Sequence, residues 1–309
     1  MRRENRSFAF PVGTFLVFIG VLLLSLKGAP HERKWVIGVE LTESELVDSL
    51  LAAVTRQEGK FSLHHGAMGR VFHLAECKKW GPVRLMVVWV PPGSENVAAS
   101  SVLMAHAAPD GWRPDVVLGM TLCPVVMASP GDILVNTAWA IGHSARYDGH
   151  NYTPKDLWTW DPTLGEARPC RYFWSNQRLM GTAVDSYIRL TDALTAQQSY
   201  TLASSSRSLP RLHLDRLGVS SELELGQAEW VAAWERALAI ENHEGLRLLP
   251  GSHDQGLAAA AKVFQESGIP FAGAAMSAPA DSLPGTLSLA ARFLWSWIGT
   301  VAESWGFGD

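Results

Sequence analysis

The chain has 309 residues, of which 18% are charged and 47% are hydrophobic, and its formal net charge is −4. This composition excludes a disordered chain and favours a well-buried core, because disordered segments combine few apolar residues with high net charge. It gives no basic stripe, so we expect no nucleic-acid partner. The cysteines Cys77, Cys123 and Cys170 lack zinc-ligand spacing, which favours buried thiols over a metal site or a disulfide framework.

The N-terminal stretch from Ser7 to Leu26 contains 20 residues without a charge. A helix of that length rises about 30 Å, which matches the hydrocarbon core of a bilayer. We therefore expect residues 1–30 to form a single-pass membrane anchor, with a helix over about residues 8–26, and residues 31–309 to form one globular domain. Positive charge before the helix favours a cytoplasmic N-terminus and a globular domain on the opposite side. Signal cleavage followed by export is the alternative.

Strands and helices alternate after the anchor, which is typical of an α/β domain. Strands are predicted at Trp35–Val39, Val71–Ala75, Val83–Val90, Pro114–Gly119, Gly131–Val135 and Phe271–Met276. Helices are predicted from a Thr42 or Ser44 cap to Val54, and at Asn96–Ala107, Tyr172–Leu194, Glu229–Ile240, Ala258–Gln265 and Leu287–Ala302. A polar, aromatic insertion between Ala140 and Pro169 is expected to be a functional loop, while Thr195–Gly218 shows no clear pattern.

The segment from His253 to Asp281 is the most informative part of the chain. It predicts a helix that stops at Gly268, a strand buried on both faces, and a polar loop. Ligands of open α/β sheets bind outside the carboxyl ends of strands. Ser277, Ala278 and Asp281 therefore fall where a site is expected.

Five segments resemble, in order, the nucleoside phosphorylase and nucleosidase superfamily across roughly residues 35 to 303. They are VIGVELTESELVDSLL, PGSENVAASSVLMAH, RPDVVLGMTLCPVVMASPGDILVNTAW, ARYDGHNYTP and GLAAAAKVFQESGIPFAGAAMSAPAD. The resemblance implies a three-layer α/β fold with a central mixed sheet flanked by helices, and N-glycosidic chemistry on nucleosides without a metal or cofactor. The purine nucleoside permease branch is also similar, since GQAEWVAAWERA precedes GSHDQG at Gly251–Gly256.

Three functional positions of that superfamily are altered in this chain. The aspartate of its SDxAD loop falls on Ala278, whose methyl group cannot donate a proton. Its ribose-binding glutamate falls on Gly256, or with a short gap on His253 or Asp254. Its glycine-rich anion loop falls on Gly119–Pro124, where bulky residues and a proline stand. We therefore expect the standard catalytic set to be lost.

The remaining polar residues each have a functional and a structural interpretation. Glu45, near the acidic turn of the superfamily, and Asp281 are the catalytic candidates, although a first-turn carboxylate and a turn-stabilising aspartate would look the same. The ligand-binding candidates lie at helix starts or in the insertion, and they are Ser94, Asn96, Arg146, Tyr147, His150, His253 and Asp254. Capping alone explains Ser94, and Asp254 also suits a cap.

The leading hypothesis is a membrane-anchored, nucleoside-phosphorylase-like domain without catalysis, which works as a binding, interaction or assembly subunit. Its ligand is expected to be a nucleoside or purine, and protein partners or a homo-oligomer are compatible with it. The first alternative is an active nucleosidase, phosphorylase or permease-like protein with a rearranged site. The second is a structural subunit of a membrane complex, with Trp295, Trp297 and Trp305 as interface anchors.

Overall fold

The computed structural model describes residues 34–58, 61–81, 83–109, 111–123, 128–141, 146–147, 152–200, 209–220, 228–241, 243, 246, 256–278 and 283–305. The segment Trp35–Asp309 forms a compact unit of its own. The predicted anchor helix over residues 8–26 lies outside the described residues. None of the helices in these described ranges has both the length and the hydropathy of a membrane-spanning segment.

Thirteen strands and six α-helices make up the described part of this unit. The strands are β1 (Trp35–Leu41), β2 (Ser62–His65), β3 (Val71–Cys77), β4 (Val83–Trp89), β5 (Val116–Cys123), β6 (Ile133–Ile141), β7 (Arg146–Tyr147), β8 (Tyr152–Thr153), β9 (Leu157–Asp161), β10 (Glu166–Cys170), β11 (Phe173–Trp174), β12 (Leu212–Ser220) and β13 (Phe271–Ser277). The helices are α1 (Ser44–Glu58), α2 (Ser94–His106), α3 (Gln177–Tyr200), α4 (Ala228–Ile240), α5 (Leu257–Glu266) and α6 (Leu283–Ser304).

The main sheet is mixed and has nine strands in the order β11-β6-β13-β5-β1-β4-β3-β2, with β12 paired to β6. Strands β4, β1, β5 and β13 run parallel, so their carboxyl ends share one edge of the sheet. Strand β6 runs antiparallel to β13, and β12 runs parallel to β6, so both strands begin at that same edge. We call this edge the carboxyl edge. It is where a ligand site is expected in an α/β sheet.

Two helical layers cover the sheet, because strand side chains alternate between its faces. On one face Ile37, Val39 and Leu41 pack into an apolar cluster with residues of α1, α3 and α6. On the other face Val36 and Val117 pack with residues of α2 and α5. We name these the α1/α3/α6 face and the α2/α5 face. The predicted three-layer α/β fold with a mixed central sheet is therefore confirmed.

The predicted helix, stop and buried strand near the C-terminus are confirmed. Helix α5 ends as a left-handed glycine cap, since Gly268 has φ +66° and the Ile269 N–H donates to the Phe264 carbonyl at 2.9 Å. Strand β13 is buried along its whole length. The neighbouring β5 and β6 supply its hydrogen-bonding partners on both sides.

Several predictions were wrong in extent. Strand β5 continues to Cys123 instead of ending at Gly119, because β13 pairs with it as far as Ser277. Strand β6 runs on to Ile141, and the insertion after it contains the β9–β10 hairpin, which binds the end of α5 through Thr159 and Glu266 at 2.9 Å.

The helix expected from Tyr172 begins only at Gln177, after strand β11. The stretch without a clear pattern holds the end of α3 and most of β12, a full strand of the main sheet.

Gly273 is a position where the fold accepts no side chain. A Cβ there would lie 2.5 Å from Cζ2 of Trp139, whose indole is fully buried and donates to the Ser175 hydroxyl at 2.9 Å. Gly273→Ala should therefore lower the free energy of unfolding by about 1 to 3 kcal/mol, measured by urea denaturation. Gly285→Ala in α6, which meets nothing within 4 Å, is the control and should not destabilise the domain. Equal effects of the two variants would contradict this packing.

Candidate functional site

Polar side chains collect at the carboxyl edge on the α2/α5 face. Glu40, Thr121 and Ser277 all lie on this face, because they alternate in register with Val36, Val117 and Phe271 of the apolar cluster there. All three are fully buried. The Thr42 hydroxyl donates to the Thr121 hydroxyl at 2.9 Å and so joins the ends of β1 and β5. The arrangement is a polar patch within an otherwise apolar layer.

Glu40 lies beneath α2, where burial favours its protonated form. The Ser101 hydroxyl is 2.9 Å from Glu40 Oε2 and 2.8 Å from the Val97 carbonyl. Because a hydroxyl has one hydrogen, Ser101 donates it to the Glu40 carboxyl or to the Val97 carbonyl, both of which can accept. Burial raises the Glu40 pKa to about 8, against smaller lowering effects of Ser101, Ser100 and Arg70. Glu40 Oε1 has no hydrogen-bond partner within the described residues.

A buried carboxylate and a histidine stand beside the end of β13. Asp132 accepts hydrogen bonds from the backbone N–H of Ser129 at 3.0 Å and of Arg211 at 2.8 Å. Its Oδ2 atom is also 3.1 Å from His213 Nε2. The carboxylate side chain is 3% exposed and the imidazole 19% exposed. The carboxylate thus fixes a ring that is mostly but not fully buried.

Asp132 and Ser277 are direct cross-strand neighbours. The Ser277 N–H donates to the Asp132 carbonyl at 2.8 Å, and the Gly131 N–H donates to the Ser277 carbonyl at 2.7 Å. Their side chains share the face of Leu134 and Ala275, which pack together in the same register. The Ser277 hydroxyl has no hydrogen-bond partner within the part of the chain that the structure describes.

Solved structures reveal which known proteins share this architecture. Comparison with protein-family models gives no match, and no curated protein sequence matches the chain. A putative methylthioadenosine nucleosidase from Weissella paramesenteroides superposes with a TM-score of 0.59 at 16% identity, over 89% of this chain and 99% of that chain. A futalosine hydrolase mutant from Helicobacter pylori strain 26695 gives 0.57 at 14% identity, over 86% and 99%. The chain has the nucleoside phosphorylase and nucleosidase fold.

A third nucleosidase-fold structure was solved with a ligand. It is the 5′-methylthioadenosine/S-adenosylhomocysteine nucleosidase from Colwellia psychrerythraea 34H in complex with adenine. It superposes with a TM-score of 0.56 at 13% identity, over 86% of this chain and 96% of that chain. At such identities the likeness establishes the fold, and the chemistry has to be argued from this chain's own residues.

Two positions that the resemblance makes important carry no polar group in this nucleosidase-fold domain. Ala278 is 7% exposed and packs into the apolar cluster of the α1/α3/α6 face, away from the polar patch. Gly256 precedes α5 with φ +112°, and a Cβ there would lie 2.7 Å from Val97 Cγ2 and 3.0 Å from the Gly93 carbonyl oxygen. A side chain at Gly256 would therefore require the start of α2 to move.

The predicted site residues at the starts of α1 and α2 make local contacts. Glu45 is exposed and accepts a hydrogen bond from the Ser44 hydroxyl at 2.9 Å, while its own backbone N–H and Ser44 lower its pKa. Asn96 is exposed, accepts from Arg70 at 3.4 Å and donates to the Pro92 carbonyl at 3.3 Å. The cap expected from Ser94 is wrong, because Gly93 is the N-cap of α2 and no side chain caps it.

Other predicted residues are not tested by these contacts. His150, His253, Asp254 and Asp281 lie outside the described residues. Arg146 and Tyr147 form strand β7, paired with β8, and their side chains are outside the described part. Glu40 and His213 are not among the site residues that the sequence predicts. For Glu40 the sequence offers one local signal, a carboxylate inside a strand. For His213 it offers none.

Glu40→Gln tests the protonated carboxyl. In wild type, the contribution of Glu40 to the free energy of unfolding is fully present below pH 4.5, which is the pKa of this group in the unfolded chain. The contribution is lost as pH rises through about 8, which is its pKa in the folded protein. The loss amounts to about 1.4 kcal/mol per pH unit within that window. Glutamine does not titrate. The free energy of unfolding of Glu40→Gln minus that of wild type, measured by denaturant titration, should therefore increase from pH 5 to pH 8. Exposed Glu45→Gln is the control and should show no such growth; a constant difference for Glu40→Gln would argue against a protonated Glu40.

Proposed function

We propose that this nucleosidase-fold domain binds a nucleoside or purine without cleaving it by the aspartate chemistry of the superfamily, and that it acts as a binding or assembly subunit. Ala278 carries the proposal, since the position expected to hold the proton donor is a methyl group facing an apolar cluster. Cleavage of an N-glycosidic bond needs protonation of the departing base, which a methyl group cannot supply.

The course of strand β5 supports the same proposal. The superfamily's glycine-rich loop falls on a segment that is strand here, and Gly119 and Met120 are paired with β1 on one side and β13 on the other. Backbone N–H groups engaged in sheet pairing cannot also form an anion-binding loop. The pocket for phosphate or attacking water would therefore need other groups.

Ligand binding is favoured because the polar patch is buried and incompletely satisfied. Glu40 Oε1 and the Ser277 hydroxyl lack partners within the described residues, although buried polar atoms are normally hydrogen-bonded. A mainly apolar site with a few polar groups is typical of small-molecule binding. A nucleoside offers donors and acceptors on a planar base, and one of the similar structures holds adenine.

The full-length protein in detergent micelles, incubated with adenosine, inosine and methylthioadenosine with and without phosphate, tests the proposal. We expect binding by calorimetry, and no free base above the protein-free control by chromatography. Release of free base at a rate that scales with protein concentration would overturn the absence of catalysis.

Ala278→Asp is the matched variant. Because Ala278 faces the apolar cluster, a carboxylate there should lower the free energy of unfolding by about 3 to 5 kcal/mol and should not create hydrolysis. Ala291→Asp, in the same cluster but on α6, controls for burial of a carboxylate. Hydrolysis gained only with Ala278→Asp would show that position 278 faces the ligand after all.

An active nucleosidase is the second candidate, and the Asp132–His213 pair is the observation that favours it. A histidine oriented by a carboxylate is a common proton donor and acceptor. If free base is released by wild type and the release disappears in His213→Ala, this candidate replaces the binding-only function.

The membrane anchor over residues 8–26 stays a prediction from the sequence, as does the location of the globular domain across that membrane. Deletion of residues 1–30 should move the protein from the membrane pellet to the supernatant after alkaline carbonate extraction, because the apolar segment is removed. A truncated chain that still pellets after detergent-free washing would contradict a single N-terminal anchor.

The predicted tryptophan interface has less exposed surface than expected. Trp297 is fully buried, and Trp295 and Trp305 pack partly against the same core.

A further inference from the structure

We propose that His213, held by Asp132, and the adjacent Ser277 are the specificity-determining groups for the base of the bound nucleoside, with His213 Nδ1 accepting from an exocyclic amino group. The inference rests on the proposed function, because it assigns residues to that ligand site. Neither the superfamily resemblance nor the similar structures assign a role to His213 or Asp132.

The hydrogen bonds of Asp132 decide which ring nitrogen is available. Its carboxylate accepts from two backbone N–H groups, and its third partner is His213 Nε2. A carboxylate accepts only, so Nε2 must carry the proton that it donates to Asp132. In the uncharged ring Nδ1 is then an acceptor. Asp132 is a positioning residue, which sets the tautomer and the plane of the imidazole.

Ser277 places a second polar group next to Asp132. The Ser277 N–H donates to the Asp132 carbonyl at 2.8 Å, and the Ser277 carbonyl accepts from the Gly131 N–H at 2.7 Å. The Ser277 hydroxyl is fully buried and has no partner among the described residues. An unsatisfied hydroxyl and the His213 ring are thus held on either side of the same residue, Asp132.

The surroundings favour a flat heterocycle over a sugar. Ala275 and Leu134 are buried beside Ser277 and Asp132, and Ala128 packs against them. Small apolar side chains offer a smooth wall to a planar ring, whereas sugar hydroxyls would need several polar partners there. The base end of the ligand is thus assigned to this part of the carboxyl edge.

Calorimetry on the full-length protein in detergent, with adenosine, purine riboside and ribose, tests the assignment. Purine riboside lacks the exocyclic amino group, so wild type should bind it about tenfold more weakly than adenosine. His213→Ala should weaken adenosine binding about tenfold and leave purine riboside binding unchanged. Purine riboside should bind to His213→Ala no more weakly than it binds to wild type, because the ligand change and the protein change remove the same hydrogen bond.

Further variants separate recognition from folding. Asp132→Asn should weaken adenosine binding while sparing purine riboside, a selective effect that a merely structural role would not produce. Ser277→Ala should weaken adenosine binding about fivefold without lowering the melting temperature, because the hydroxyl has no partner before the ligand binds. His106→Ala, whose ring contacts Ser267 at 3.1 Å instead, is the matched control and should leave both affinities unchanged.

The outcomes distinguish this inference from the proposed function. If wild type binds none of the nucleosides, the proposed function fails and the inference falls with it. If wild type binds adenosine and both His213→Ala and Ser277→Ala bind it equally well, the inference is overturned while the proposed function stands. Binding of ribose as tightly as adenosine would overturn the assignment to the base.

Discussion

The pairing of β5 with β13 is the constraint on which the rest of the structure depends. Seven consecutive pairs join the two strands from Val117 and Phe271 to Cys123 and Ser277. Because a strand alternates its side chains with a period of two, this register decides at once which groups face each helical layer. It sends Thr121 and Ser277 to the α2/α5 face, while Ala278 packs with the opposite layer. A slip of one residue would exchange these faces.

The same pairing also affects the chemistry of the carboxyl edge. Continued pairing occupies the segment that the resemblance identifies with an anion-binding loop. What remains at the edge is a buried Glu40 under α2 and an Asp132–His213 pair at the start of β6 and β12. These groups lie in a poorly solvated place, where hydrogen bonds are strong and missing partners are costly. That combination favours selective binding of a ligand with complementary donors and acceptors.

Local signals made helix α5 and strand β13 predictable. The glycine stop after α5 and the unbroken apolar run of β13 are short-range patterns, and both appear as expected. Strand β12 was not predictable, because His213 and Arg216 interrupt its apolar pattern. Its pairing register with β6 also shifts between His213 and Leu217. The extension of β5 was not predictable either, because the segment from Met120 to Cys123 carries no strand signal of its own and is stabilised by pairing with β13.

The candidate site was much less predictable than the fold. Asp132 and His213 are 81 positions apart, and no sequence spacing relates them. The sequence by itself determined most of the strands and helices and their apolar faces, because these depend on residue type and near neighbours. The tertiary structure decided that Glu40 is buried, which favours its protonated form, that Ala278 faces the apolar cluster, and that His213 meets Asp132. Burial, register and long-range contact exist only once strands from distant parts of the chain have paired.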